Sequence, residues 1–383
     1  MTANTVTEMS RTRFISRAVV LACAALLSVA CQFRDLDYDY IDTAKFTLIF
    51  DWSQSSLKGS GIKTSAVTPG AVKPGDVING RTAAFYPMNG GDPVIKMSHS
   101  DTISVNLLVG QYRAVFFNET FEDFDNIKFA GISTFEGLEA VLKEDAASSA
   151  KAVNRIAREP DILAVETMIP FEVTEEMVLY TRAMETRSTK ALTETMGIQT
   201  LRRVEEAMTV TVRPRDVVYP VTVDVVVHGM DDIVSAGAYI SGFSGGFDFS
   251  AGRPSNSSVT HKVTFTEKIF DSGSTTDGLM VGYFNTFGLR PEDGAELSNY
   301  TFEFRAALIN GEIYTETRSI DKLISEITED GHLTILIHIG QDVGGGGTDP
   351  PIDIPDVEPV GGDDGMWHVD VGDWDEVVVP VDI

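Results

Sequence analysis

Six histidines, two cysteines and one glycine-rich run are the residues whose types could do chemistry here, and their spacing assigns them little of it. His99, His228, His261, His332, His338 and His368 are scattered. None has the HxH or HExxH spacing that shares a zinc ion, and no GxSxG turn presents a nucleophile. His332 and His338 fall on one face of an alternating stretch, but at ~3.3 Å per residue they stand about 20 Å apart, too far for one metal. Gly242, Gly245 and Gly246 lack the Lys-Ser/Thr pair and following helix of a phosphate-cradling loop, so they read as a bulge or turn between strands. Asp35, Asp37 and Asp39 imitate the first ligands of a calcium loop. Tyr40 then stands where that loop needs Gly, and Phe46 where it needs a bidentate Glu. The sequence therefore assigns no catalytic residue, no metal site and no cofactor.

The thiols carry a different chemistry. Arg11, Arg13 and Arg17 precede thirteen apolar or small residues, Ala18 to Ala30, and then Cys31. A basic flank, a short apolar run and a small-residue exit form a secretory leader, and the run falls short of the roughly 20 residues that span a bilayer. Leu27-Ser-Val-Ala-Cys31 resembles a bacterial lipobox with Leu one place early, which makes Cys31 the acylated first residue of the mature chain. Cys23 competes only by cutting the apolar run to almost nothing. The expectation is a protein attached by lipid to a membrane surface outside the cytoplasm.

Composition agrees. Removing 30 of 383 residues leaves 353, enough for about two domains. The leader carries a net +2, so the chain's −27 becomes about −29, a surface that repels nucleic acid and anionic headgroups. With Cys23 gone and Cys31 lipidated, no disulfide remains and hydrophobic cores must supply the stability.

Period-two patterns position the rest. Phe46, Leu48, Phe50 and Trp52 alternate with Thr47, Ile49 and Asp51 in a period-two pattern with one apolar face, and Ile103, Val105, Leu107 and Val109 repeat it. Gly110 then leads into Tyr112–Asn118, which suggests a hairpin. Residues 134–158 show helical spacing (Leu138, Val141, Leu142, Val153, Ile156) up to Pro160. Ile162–Val173 reads as strand, 174–207 as a helical or poorly ordered excursion, and Met208–Arg213 as strand. A second β series follows: Val221, Val223, Val225 and Val227 share a face, and further strands cover Thr260–Thr266, Leu279–Asn285, Tyr300–Ile309, Glu312–Thr317 and His332–Ile339. Asn310-Gly311 is the sharpest hairpin signal, and a short helix is expected at Ile320–Ile327.

Residues 341–383 hold twelve acids, eight Gly and five Pro and no Lys or Arg. Gly344–Gly347 form a flexible hinge and Pro350-Pro351 a stiffer spacer. The acids read as a solvated linker in preference to a weak calcium site. Val377, Val379 and Val381 lie on an end segment that could add as a strand to another subunit's sheet edge, against the alternatives of self-pairing or disorder. Trp367 and Trp374 are the one aromatic pair there.

Phe46-Thr-Leu-Ile-Phe-Asp-Trp52 after the lipidated Cys, Leu108–Asn118, Phe171-Glu-Val173, Tyr219–Asp224, His228–Asp232 and Ile240-Ser-Gly242 together resemble the fimbrillin-associated outer-membrane lipoproteins of Bacteroidales, including a family close to the fimbrial anchor subunits. The resemblance covers roughly residues 31–340 as a spread-out pattern. It implies a mainly β chain of two tandem transthyretin-like or Ig-like sandwich domains with minor helices, and fimbrillin-like pilus subunits as partners. The expected organisation is a signal peptide (1–30), a tether (31–43), an N-terminal sandwich with helical insertions (44–213), a C-terminal sandwich (214–340) and the acidic tail (341–383). The function expected is non-enzymatic, in fimbria-like assembly, anchoring or adhesion at the cell surface. The alternative is a surface lipoprotein that captures glycan or a host ligand. Three weaker signals accompany it. Arg182, Arg187, Lys190, Arg202 and Arg203 are candidate processing sites or a solvated helix face. Asp42-Thr-Ala44 and Asp101-Thr-Ile103 match a short O-glycosylation acceptor pattern.

Overall fold

The structure, a computed structural model, describes residues 43–56, 78–144, 156–185, 194, 196–293, 300–320, 323–327, 333–340 and 349–359. Within them the chain is mainly β. Its two α-helices are Glu175–Glu185 and Ile198–Ala207, inside the stretch read from sequence as a helical excursion.

The first layer pair follows from alternation. Thr43–Phe50 runs between Thr209–Val212, to which it is parallel, and Thr102–Leu108, to which it is antiparallel. This sheet faces a second, ordered Arg215–Asp216, Ala164–Val173, Gly110–Asn118, Arg81–Pro87 and Val94–Ser98. Phe46, Leu48, Ile103 and Val105 meet Phe85, Phe116 and Phe171 between them. Phe171 lies edge-on to Phe46 and Phe85 at 5.1 Å each, the geometry that aromatic quadrupoles favour. Helix Glu175–Glu185 covers Thr43–Phe50, with Thr181 Oγ1 accepting from the Lys45 backbone N–H at 3.0 Å.

The second half is one continuous sheet that curls around its own core. Its order is Ile313–Ser319, Thr301–Leu308, Ile233–Ser244, Ser258–Phe270, Gly278–Thr286, Tyr219–His228, Leu333–Ile339 and Leu323–Ile327. The two end strands are consecutive in the chain, so the sheet's edges come close to each other. Val221, Val223, Val225 and Val227 point inward together with Phe243, Phe302, Phe304 and Ile337. Asn310-Gly311 makes the expected hairpin, with Gly311 at φ +82°, a backbone that Gly adopts without steric cost.

A third core joins the halves. Ile127–Ala130 and Glu139–Leu142 pair with Gly246–Asp248 and Arg253–Pro254 in a four-stranded sheet. Beneath it Phe117, Phe129 and Val217 pack with Phe247, Phe249 and Phe287. Gly246 permits this contact, because a Cβ there would lie 2.5 Å from the Ala140 carbonyl oxygen. Gly242 sits at a register shift in the Ile233–Ser244 strand, the bulge that the glycine run predicts.

Three local expectations fail. The helix expected over 134–158 is strand at Glu139–Leu142 and Ile156–Ala157 in its described parts. Ala140 and Leu142 are buried in alternation there, and pairing with Gly246–Asp248 overrides helical spacing. Thr102–Leu108 and Gly110–Asn118 do not form a hairpin. Gly110 carries the chain from one sheet to the other, and each strand pairs with distant partners instead. The helix expected at Ile320–Ile327 is strand Leu323–Ile327, which occupies the backbone edge of Leu333–Ile339.

Candidate functional site

Each described histidine is placed apart from the others. His99 Nδ1 bonds the Asn79 carbonyl at 2.8 Å. His228 Nδ1 lies 2.9 Å from Asp353 Oδ1. His338 Nδ1 is 3.2 Å from Asp224 Oδ2 on the neighbouring strand, without the alignment of a hydrogen bond; burial raises the Asp224 pKa and His338 pulls it back down. His261 is fully buried, stacked on Phe284 at 4.9 Å, and burial pushes its pKa down to about 3. Among the described residues no three His, Cys, Asp or Glu gather as a metal site.

A polar cleft of about 390 Å³ opens between Gln54, Glu166, Thr167, Arg213 and Arg215. Its charges answer one another: Arg213 Nε lies 3.2 Å from Asp51 Oδ2, Arg215 Nε donates to Gln54 Oε1 at 2.8 Å, and Glu166 accepts from the Arg213 backbone N–H. Burial raises the Glu166 pKa, opposed by that bond and by both arginines.

The arrangement with most to do at a surface is the closure of the second sheet. Tyr219–His228 offers one edge that two segments share end to end. Leu333–Ile339 pairs in parallel with Val221–Val225, and Ile352–Asp353 pairs in parallel with Val227 and His228. Between them Gly340 turns at φ +80°, where a Cβ would stand 2.9 Å from Pro351 Cα. Ile352 and Ile354 are buried in the sandwich core. From the opposite sheet edge Arg318 reaches across to hold this strap. Its guanidinium donates to Asp349 Oδ1 at 3.0 Å, to the Pro351 carbonyl at 3.0 Å and to the Pro350 carbonyl. Asp349 Oδ2 accepts from the Gly340 backbone N–H at 2.7 Å. The start of the acidic tail thus folds back on its own chain, while the edge strands Ile313–Ser319 and Leu323–Ile327 end the sheet.

Sequence reasoning read Pro350-Pro351 as a spacer in a solvated linker; instead Ile352–Asp353 pairs with Val227 and His228 and Ile352 packs in the core, because an unfilled strand edge and the Arg318 guanidinium hold it there. Cys31, Val377, Val379, Val381, Trp367, Trp374, Arg187, Lys190, His332 and His368 lie outside the described residues. Arg182 sits on helix Glu175–Glu185. Arg202 and Arg203 are exposed on helix Ile198–Ala207, and Arg203 lies 3.9 Å from Glu176. Asp101 pairs with the buried Arg81, whose guanidinium lies 5.9 Å from the Trp52 ring centroid. Among the described residues no helix is long and apolar enough to cross a membrane.

These sheets and their shared core define a mainly β protein of packed sandwiches. A family model described as a domain of unknown function (DUF5119) matches residues 72–265. That is just over half of the sequence, and the chain belongs to this family. No curated protein matches it. Among solved structures, a candidate adhesin from Bacteroides ovatus is 16% identical, with a TM-score of 0.53 over 85% of this chain and 96% of that one; this likeness establishes the shared fold. The fimbrial anchor protein Mfa2 from Porphyromonas gingivalis is 13% identical, with a TM-score of 0.38 over 76% of this chain and 95% of that one.

Proposed function

We propose that this chain is a non-enzymatic outer-membrane lipoprotein that takes part in fimbria-like assembly, anchoring or adhesion at the cell surface, held by acylated Cys31. The observation that carries the reading is the fold shared along 85% of the chain with a candidate adhesin. The architecture supports it: the edge strands Ile313–Ser319 and Leu323–Ile327 offer backbone to which another chain can add. In this reading the chain works as two units, 44–213 and 214–340, coupled through the Phe117–Phe249 core, behind a cleaved leader (1–30) and a tether (31–43). Fimbrillin-like subunits are the partners, and Val377, Val379 and Val381 form the segment offered to a partner's sheet edge. The tail then divides labour, with 349–357 packing on its own sandwich and Val377–Val381 engaging a partner subunit.

The test is crosslinking of the intact protein in membranes of its native host, followed by identification of what is attached. Recovery of fimbrillin-like subunits supports the reading, and loss of that recovery on deleting 360–383 assigns the contact to the end segment. Recovery of polysaccharide-uptake components instead moves the function to glycan capture.

A further inference from the structure

We propose that the tip formed by Leu108 and Val109, with Met88 beside it, inserts into the headgroup boundary of the membrane that holds the chain's own lipid, so that the N-terminal sandwich rests on the bilayer instead of swinging from it. The inference rests on the reading of Cys31 as the acylated residue.

Three observations converge. The first is a break in patterning. Along strand Thr102–Leu108 the outward positions are Thr102, Ser104 and Asn106, polar as expected, and then Leu108, which is 57% exposed while Leu107 is buried. Val109 follows at 46%. An apolar residue at the end of a polar face is unfavourable in water and favourable at a lipid interface.

The second is a neighbour of the same kind. The Met88 backbone N–H donates to the Gln111 carbonyl at 2.8 Å, which seats Met88 beside the Leu108–Gly110 crossing; it is 40% exposed. On Leu108's own outward face the next pair is Asn106 with Lys45, and beyond the crossing Gln111 pairs with Glu172. With a cation and an acid at its margins and a strongly acidic chain behind it, the tip suits a zwitterionic interface.

The third identifies the occupant. Thr43, the first described residue, pairs directly with Leu108. Eleven residues lie between it and Cys31, twelve Cα steps that reach at most about 40 Å when fully extended and about 20 Å as a coil. The acyl chains therefore enter the bilayer within a short tether of this tip, and tethering raises the local concentration of lipid at it. The occupant is the surface that carries the anchor.

The experiment uses the full acylated chain in phosphatidylcholine vesicles. The domains contain no cysteine, so Leu108→Cys and, as the control, Asn310→Cys at the far hairpin each provide one free thiol for an environment-sensitive dye. Mass spectrometry of the N-terminal peptide reports acylation in the same sample. Acylated protein whose dye at 108 shifts to the blue and is quenched several-fold more by headgroup-labelled lipid than the dye at 310 supports the proposal. Acylated protein with the two dyes equally water-exposed overturns it and leaves the anchor reading standing. Absence of acyl mass overturns both.

Discussion

Arg318 Nη1 donates to Asp349 Oδ1 at 3.0 Å across 31 residues of chain, joining an edge strand of the second sandwich to the segment that pairs with Val227 and His228. Arg318 is largely buried, and Glu316 lies 2.6 Å from it on the same strand, so the guanidinium is held in position before it meets the tail.

Arg318→Ala should release the strap. Charge-assisted bonds to two carboxylates, Glu316 and Asp349, and two carbonyls are lost together, so a loss of about 2 kcal/mol is expected from denaturant unfolding. Amide exchange over 349–357 should accelerate while exchange in the Thr43–Phe50 strand does not.

Ile352→Ala tests the apolar half of the same clasp. Ile352 is fully buried, and truncating a buried Ile costs about 2–5 kcal/mol. Proteolysis should then cut after Gly340 in the variant before it cuts in the wild type. Equal cutting times would show that Arg318 alone retains the strap.

The His261 imidazole gives the fold an acid-sensitive term. Its pKa falls from 6.5 to about 3 because burial disfavours the cation. In the unfolded chain the group takes up a proton near its ordinary value, whereas the folded chain resists. The contribution to stability is thus fully present above pH 6.5 and is lost as pH falls from there toward 3, by at most about 1.4 kcal/mol per pH unit. Across pH 7.5, 6 and 5, the wild-type unfolding midpoint should fall relative to that of His261→Leu as the pH drops.

Phe249→Ala should uncouple the halves. Phe249 is buried at 5.7 Å from Phe117 and 6.1 Å from Phe129 across the shared core. A cost of about 3–5 kcal/mol is expected, and a single calorimetric transition should split in two. Gly246→Ala, which drives a methyl group toward the Ala140 carbonyl, should move the transition in the same direction.

Asp101→Ala leaves the buried Arg81 guanidinium without its carboxylate. Removing one partner of a buried pair is more costly than losing an exposed one, and Asp101 is itself exposed, so solvent offsets part of the penalty. A loss of about 1–2 kcal/mol is expected by urea unfolding, with Asp101→Asn intermediate.

Alternation alone made most of the β architecture legible. Val221 to Val227, Phe46 to Phe50 and Ile103 to Leu107 bury one face because side chains on a strand point to opposite sides in turn. The Asn310-Gly311 hairpin was equally local, since its turn needs only a residue that accepts positive φ. Partners were another matter. Gly110 joins two strands that never pair, and Glu139–Leu142 is strand because Gly246–Asp248, more than 100 residues away, supplies its hydrogen bonds. Leu323–Ile327 likewise trades helical spacing for an open edge. Arg318 and Asp349 meet only once the sheet has curled far enough to bring its two edges together. Local periodicity determines which face of a segment is apolar, whereas pairing depends on which backbone edges remain unfilled when the sheets close, and that is decided by the whole chain.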